Sequence, residues 1–294
     1  MHRMTRVVFR PRLAGALFAV AISIAGTQAE PAAEKITATS IIDLSRSSAV
    51  EIMTGSKRLG TGFLIGDTHV ATAFHVVAVA TPVPGGGSGV NISYVPDLKL
   101  KLSDGEVLEG ECVSPATDGE PTPYQHDFAV VRLRRSPKGK HKAVSLRDVN
   151  EKPPVGEEIY FSGYPLSTRG MVTHRGMVSG ADDSATRIFL QAALNKGNSG
   201  GAVLTASGKA VGIISQREGE ISQGLQEVQR QIREAEQRKD VQVRIEMRGI
   251  DPLQSTRDII ATLDRYISTG IGYAVSIKFL REYLSRHPEI LAGK

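Results

Sequence analysis

With 294 residues, 40% of them hydrophobic, the chain is long enough to bury a full core in one large domain or a two-lobed one, and its single cysteine, Cys112, excludes an internal disulfide. The formal net charge of +5 is misleading: residues 1–29 carry four arginines and no acid, and removing those four from the 36 basic residues leaves 32 against 31 acidic ones. A near-neutral remainder without tryptophan, and without a basic cluster interleaved with aromatics, gives nucleic-acid binding no support.

In chain order, Arg3, Arg6, Arg10 and Arg12 precede the apolar run Leu13 to Gly26, and Thr27-Gln28-Ala29 supplies a small residue where a signal peptidase would cut. Residues 1–29 therefore read as a secretory signal peptide, and the expected destination is the periplasm or the exterior. The apolar run is shorter than the roughly 20 residues a membrane span needs, so no stable span is expected after cleavage. A short segment follows at 30–40. Strand-like runs then fill 48–134, broken by a Pro/Gly/Ser loop at 82–89. Cys112 follows Gly110-Glu111 in one of these runs and reads as a small core residue. Arg135 to Lys142 is basic and punctuated by proline and glycine, and Glu151-Lys152-Pro153-Pro154 is turn-rich, so the connection between two lobes falls between them. The lobes are assigned to 30–140 and 141–294, the second beginning its strands near Val155. Within 217–268, Leu225, Val228, Ile232 and Ala235 recur at helical spacing, as do Ile259, Ile260, Leu263 and Ile267. Two helices packed on the lobe or on each other is the simplest account of this insertion; a regulatory lid or an oligomer contact is the alternative.

The chemistry concentrates in Asn195-Lys196-Gly197-Asn198-Ser199-Gly200-Gly201. Glycines on both sides of Ser199 let the backbone turn tightly and leave room for a substrate carbonyl beside the hydroxyl. Such a turn can aim the amides of Gly197 and Ser199 at one point, an oxyanion hole worth about 2.7–4 kcal/mol per donor. Taken alone, the run could equally be a Gly/Ser loop. Upstream, His75 follows an apolar strand-like stretch, and His126-Asp127 opens the buried run Phe128 to Leu133. Either residue alone could be an ordinary polar strand end. Together, His75, Asp127 and Ser199 stand in one of the known chain orders of a base, orienter and nucleophile. Serine is a weak nucleophile at neutral pH, imidazole takes its proton, and the carboxylate holds the tautomer.

The segments GTGFLIG, ATAFHVV, HDFAVVRL, GYP, GMVSG, NKGNSGGAVL, AVGIIS and GIGYAVSI, spread over about residues 50–280, resemble the successive motifs of bacterial HtrA/Deg-type trypsin-like serine proteases. The resemblance implies a mostly β fold of two antiparallel six-stranded barrels, with a C-terminal helix and the helical insertion at 217–268. It also implies a cleft between the barrels, and peptide hydrolysis through an acyl-enzyme. Departures from the family pattern are Lys196 where proline is common, Gln191 where aspartate is common, and too few residues after GIGYAVSI for a PDZ domain. The family expectation of a homo-oligomer is accordingly left open.

By the same resemblance, Ala193, Leu194, Ile214, Ile271 and Tyr273 would form the specificity pocket. Ala193 at its floor offers no charge and Ile271 shortens it, which predicts cleavage after small or medium aliphatic residues. Asn198 stands where secreted zymogens place an aspartate, so the ion pair of proteolytic activation cannot form. Ser215 is a candidate support for the Asp127 carboxylate. His69, His126, His141, His174 and His287 lack metal-ligand spacing, and no metal or other cofactor is expected. Asp182-Asp183 reads as a solvated turn. Two functional readings follow: an exported serine endopeptidase acting on unfolded or flexible polypeptides, and a chaperone-like peptide-binding protein with weak or regulated proteolysis.

Overall fold

A computed structural model describes residues 37–82, 90–114, 122–148, 153–217, 251–266 and 271–292, with five further residues between 228 and 234. The expected signal peptide, the loop at 83–89 and most of the 217–268 insertion lie outside the described residues. Two closed antiparallel barrels of six strands each make up the body. In the first, β1 (Ala49–Thr54), β2 (Lys57–Leu64), β3 (His69–Thr72), β6 (Leu98–Lys101), β7 (Val107–Cys112) and β8 (Ala129–Leu133) close in the order β1-β2-β3-β8-β7-β6. Between them, α2 (Phe74–Val77) leads into a hairpin of β4 (Ala78–Pro82) and β5 (Val90–Tyr94).

The second barrel closes in the order β10-β11-β14-β13-β12-β9, from β9 (Glu158–Gly163), β10 (Val172–Ala181), β11 (Arg187–Gln191), β12 (Ala202–Thr205), β13 (Ala210–Arg217) and β14 (Ile271–Ser276). Closure leaves no unpaired edge and turns alternate side chains inward. Phe63, Val70, Leu100, Phe128 and Val130 fill the first core, and Ile159, Phe161, Val178, Leu190 and Ile214 the second.

Both described ends of the body pack across it. α1 (Ala38–Ser48) starts at the Thr37 cap, whose hydroxyl accepts from the Ser40 amide, and buries Ile41, Ser45 and Ser48 at helical spacing. It reaches the second barrel through Ser45 Oγ to Ser162 Oγ at 2.9 Å and Arg46 to Thr173 Oγ1 at 2.9 Å. At the other end, α4 (Ile277–Arg286) buries Ile277, Phe279, Leu280, Tyr283 and Leu284, and it packs on the first barrel, with Tyr283 edge-on to Phe128 at 5.3 Å. A short α5 (Glu289–Ala292) follows. The sequence pattern showed only a short segment before 48, because a serine-rich helix with one narrow buried face has little apolar periodicity.

In the insertion, α3 (Pro252–Tyr266) begins with proline at its first position behind Asp251, whose carboxylate accepts from the Gln254 amide at 3.2 Å. Its predicted apolar stripe divides. Ile260 is buried, whereas Ile259 is 59% exposed. On the first described helical stretch, Ile232 is buried and Val228 is exposed. Cys112 is half-buried near Ser114, and burial pushes its thiol pKa up, which keeps it in the unreactive thiol form.

One buried charge cluster joins the barrels. Arg58 of β2 pairs with Glu51 at 2.5 Å and donates to the carbonyls of Pro165 and Thr168 at 2.7 and 2.9 Å. The Glu51 side chain is only 6% exposed. Replacing Arg58 with methionine would leave that carboxylate with Lys101 at 3.5 Å as its remaining cation and free two carbonyls. A loss of about 3–5 kcal/mol is expected, read from urea unfolding, because the penalty of an uncompensated buried charge falls on the folded state alone.

Candidate active site

The turn carrying Ser199 is built by close approach. Gly197 and Gly200 have φ of +100° and +90°, which L side chains rarely adopt. A Cβ at Gly200 would stand 2.0 Å from the Thr61 carbonyl oxygen and 2.2 Å from Thr72 Oγ1, so both conformation and space demand glycine there. The amides of Asn198, Gly200 and Gly201 donate to the carbonyls of Asn195, Ile214 and Asn198 at 3.0, 2.6 and 3.0 Å. None of these bonds uses the amides of Gly197 or Ser199, the pair expected to hold an oxyanion.

Thr61, from the first barrel, grips the same turn. Its amide donates to the Ser199 carbonyl at 2.9 Å, and its hydroxyl donates to the Gly197 carbonyl at 2.7 Å while accepting from the Tyr164 amide at 2.9 Å. Thr72 Oγ1 in turn donates to the Thr61 carbonyl at 2.7 Å. The sequence marked the GTGF segment as a motif without assigning Thr61 a task. Its task depends on a partner 136 residues away and is invisible in local pattern. Thr61→Val keeps the shape but strands a buried carbonyl and a buried amide, each costing about 1–3 kcal/mol. The expected result is a lower urea midpoint together with a fall in kcat at nearly unchanged KM, and Thr61→Ser, which restores the hydroxyl, recovers both.

His75 sits in the single turn α2, directly beyond β3, and Asp127 stands at the mouth of β8; β3 and β8 pair side by side, which brings the two together. Asp127 takes φ of +42°, a left-handed conformation that aspartate tolerates better than most residues. The segment is braced by His126, which stacks on Phe279 of α4 at 3.9 Å between ring centroids. The Asp127 carboxylate accepts from the His75 backbone amide at 3.0 Å and lies 2.9 Å from His75 Nδ1. Burial lowers the His75 pKa, but the hydrogen bond and negative charge of Asp127 together outweigh it, and the net shift is upward.

Ser215 completes the network. Between Ile214 and Gln216 the β13–β14 ladder shifts register, leaving Ser215 as the extra residue of a β-bulge. Freed from strand pairing, its hydroxyl donates to Asp127 Oδ2 and its carbonyl accepts from Ser199 Oγ at 3.1 Å. The Ser199 hydroxyl is thus turned toward Ser215 in this structure rather than bonded to His75. Asn198 is fully buried, with both side-chain polar atoms lacking a hydrogen-bond partner among the described residues.

His75, Asp127, Ser199 and Ser215 line one open cavity of about 560 Å³. Of the predicted pocket residues, Leu194, Ile214 and Tyr273 line it as well. Ala193 is exposed and is not among the residues that line this cavity. Ile271 pairs through its backbone with Gln191, and its side chain lies outside the description. Sequence reasoning missed Arg187, which lies over the Tyr273 ring at 5.0 Å, and Phe74 and Tyr124, whose rings meet edge-on at 5.8 Å. Asp127 is the sole carboxylate among the lining residues. Asp182 closes its turn by accepting from the amides of Thr186 and Arg187 at 2.6 and 3.1 Å.

Residues 60–213 match the trypsin-like peptidase domain family, and the chain belongs to that family. It is similar to a DegP-like periplasmic serine endoprotease of Pseudomonas putida (strain GB-1), with 29% identity over 167 residues, 55% of this chain and 30% of the relative. A DegP-like periplasmic serine endoprotease of Brucella suis is 33% identical over 162 residues, 52% of this chain and 26% of that protein. The chain thus spans less than a third of the length of these relatives. Among solved structures, the serine endoprotease from Yersinia pestis superposes with a TM-score of 0.50 at 15% identity, covering 84% of this chain and 64% of that one, a likeness of fold.

Proposed function

We propose that this chain is an exported serine endopeptidase that cleaves unfolded or flexible polypeptides through Ser199, His75 and Asp127. The observation that carries the reading is the hydrogen-bonded chain from His75 Nδ1 through Asp127 and Ser215 to Ser199, with all four residues on one cavity. A bound peptide places its carbonyl carbon beside Ser199. The hydroxyl rotates away from the Ser215 carbonyl, neutral His75 takes its proton at Nε2, and Oγ bonds to the carbonyl carbon. Negative charge gathers on the carbonyl oxygen, where the uncommitted amides of Gly197 and Ser199 receive it. Protonated His75 then gives its proton to the leaving amine, the C–N bond breaks, and water releases the acyl group by the same steps.

Specificity follows from the lining. Leu194 and Ile214 are buried apolar walls, and the Asp127 carboxylate is committed to His75 and Ser215, so a basic side chain would find no free counter-ion. Cleavage after small or medium aliphatic residues is the reading these walls support. Asn198 is neutral, so its burial creates no need for the new N-terminus that zymogens use, and activity without further trimming is expected once a signal peptide is removed. Export rests on the arginine-led apolar run at 1–29 and on relatives named as periplasmic. Among the described residues no helix is long and apolar enough to cross a membrane.

The test pairs a fluorophosphonate label with unfolded casein and a peptide library. Stoichiometric labelling that maps to Ser199, with cleavage mainly after Ala or Val, is expected. An unlabelled protein that binds casein without cutting it would favour the chaperone-like reading, and cleavage mainly after Arg, Lys or Glu would overturn the pocket assignment.

A further inference from the structure

We propose that Asp104, Glu106 and His141 form a divalent-metal site, suited to zinc, that staples the connection between the barrels to the β6–β7 turn. One ligand atom from each residue lies within 4.8 Å of the other two. None of the three lines the catalytic cavity. Linear spacing conceals the set, because His141 lies on the far side of β8 and is returned to the turn by the basic segment at 135–142.

Each ligand is already aimed. The turn is closed by the amide of Leu102 on the Glu106 carbonyl at 2.8 Å and by Gly105 at φ +92°. The Glu106 amide donates to Asp104 Oδ1 at 2.9 Å, and this leaves Oδ2 to face His141 Nε2 at 3.2 Å. Glu106 Oε2 accepts from the Lys138 amide at 2.8 Å, while Oε1 lies 2.7 Å from Arg135. The His141 side chain is only 6% exposed, and its Nε2 is buried with no hydrogen-bond partner. A buried imidazole nitrogen that faces a carboxylate without a formed hydrogen bond is costly, and a metal between the two would satisfy both.

Space is reserved as well. A Cβ at Gly139 would stand 2.5 Å from Asp104 Oδ2 and 2.9 Å from His141 Nε2. Only glycine at 139 leaves the gap between them open. Two zinc ligands at about 2.0–2.1 Å in tetrahedral array lie about 3.3 Å apart, close to the separation seen between Asp104 and His141. One imidazole nitrogen and two carboxylate oxygens suit zinc, with water as the fourth ligand. Glu106 Oε1 has a second lone pair, so it can keep Arg135 while it coordinates.

The experiment titrates zinc alone into the metal-stripped full chain. The His75→Ala background removes self-digestion and the histidine of the active site. One equivalent is expected to bind, with an unfolding midpoint that rises as zinc is added. His141→Ala and Asp104→Asn each remove a direct ligand and should weaken binding at least as much as the loss of an outer-shell partner, which costs about 10–100-fold. Gly139→Ala keeps all three ligands and fills the gap, so it should also weaken binding. It preserves the test if His141→Ala does not fold. Zinc binding unchanged in Asp104→Asn and Gly139→Ala, no stoichiometric binding, or an equal midpoint shift with magnesium would overturn the assignment.

Discussion

Ser199→Ala is expected to lower kcat on unfolded casein by about 10⁶-fold, the scale seen when the nucleophile of a serine protease triad is removed. In the proposed mechanism the loss is large because Ser199 Oγ is the attacking oxygen, and His75 and Asp127 act on the bond it forms. Residual turnover above the uncatalysed rate should survive, since the Gly197 and Ser199 amides and the binding cavity remain. Folding should be almost untouched. The hydroxyl makes one bond, to the Ser215 carbonyl at 3.1 Å, and losing a single such bond costs about 1 kcal/mol. Stopped-flow or long-time casein assays on purified variant and parent read the ratio, and circular dichroism reads the fold. Activity within tenfold of the parent would remove Ser199 from the chemistry.

Asp127→Asn is expected to lower kcat by about 10⁴-fold, with the geometry nearly preserved. Asparagine tolerates the left-handed φ of +42° at this position, which makes it a better probe than alanine. An asparagine amide facing His75 Nδ1 would donate where the imidazole must donate. The ring would then take the tautomer whose Nε2 carries the proton and cannot accept one from Ser199. The pH profile should move too. In the parent, Asp127 raises the His75 pKa against the opposing effect of burial, so kcat/KM should climb along a limb centred above about 6.5. Without the carboxylate that raises it, the limb should move to lower pH than in the parent.

The stability linked to the same pair runs the opposite way. A His75 pKa raised on folding stabilises the protein fully below about pH 6.5, and that contribution is lost as pH rises through the folded value. Activity is therefore gained in the window where the charged pair's stabilisation is lost. A limb unmoved by Asp127→Asn would show that Asp127 does not set the titration of the base.

The two-barrel class came from the resemblance of the motifs to a known family, while residue type and local spacing, read from the sequence alone, determined the glycine-framed turn at Ser199, the apolar strand runs, and His75 and Asp127 as candidates to work with Ser199. Those features are local: a turn needs glycine where φ is positive, a buried strand needs an apolar run, and a base needs an imidazole. Tertiary structure alone decided what depends on distant partners. It joined Thr61 to Gly197 and Ser199 across the two barrels, and it made Ser215 the extra residue of a bulge that faces Asp127. The resemblance suggests Ala193 for the pocket, and the structure shows that residue exposed and outside the lining of the cavity at Ser199. The same physics hid Asp104, Glu106 and His141: β7 and β8 of the first barrel separate His141 from the two acids in sequence, and the fold brings the three within 4.8 Å. Sequence periodicity records which face a side chain takes. Barrel closure and bulges decide which other side chain it meets there.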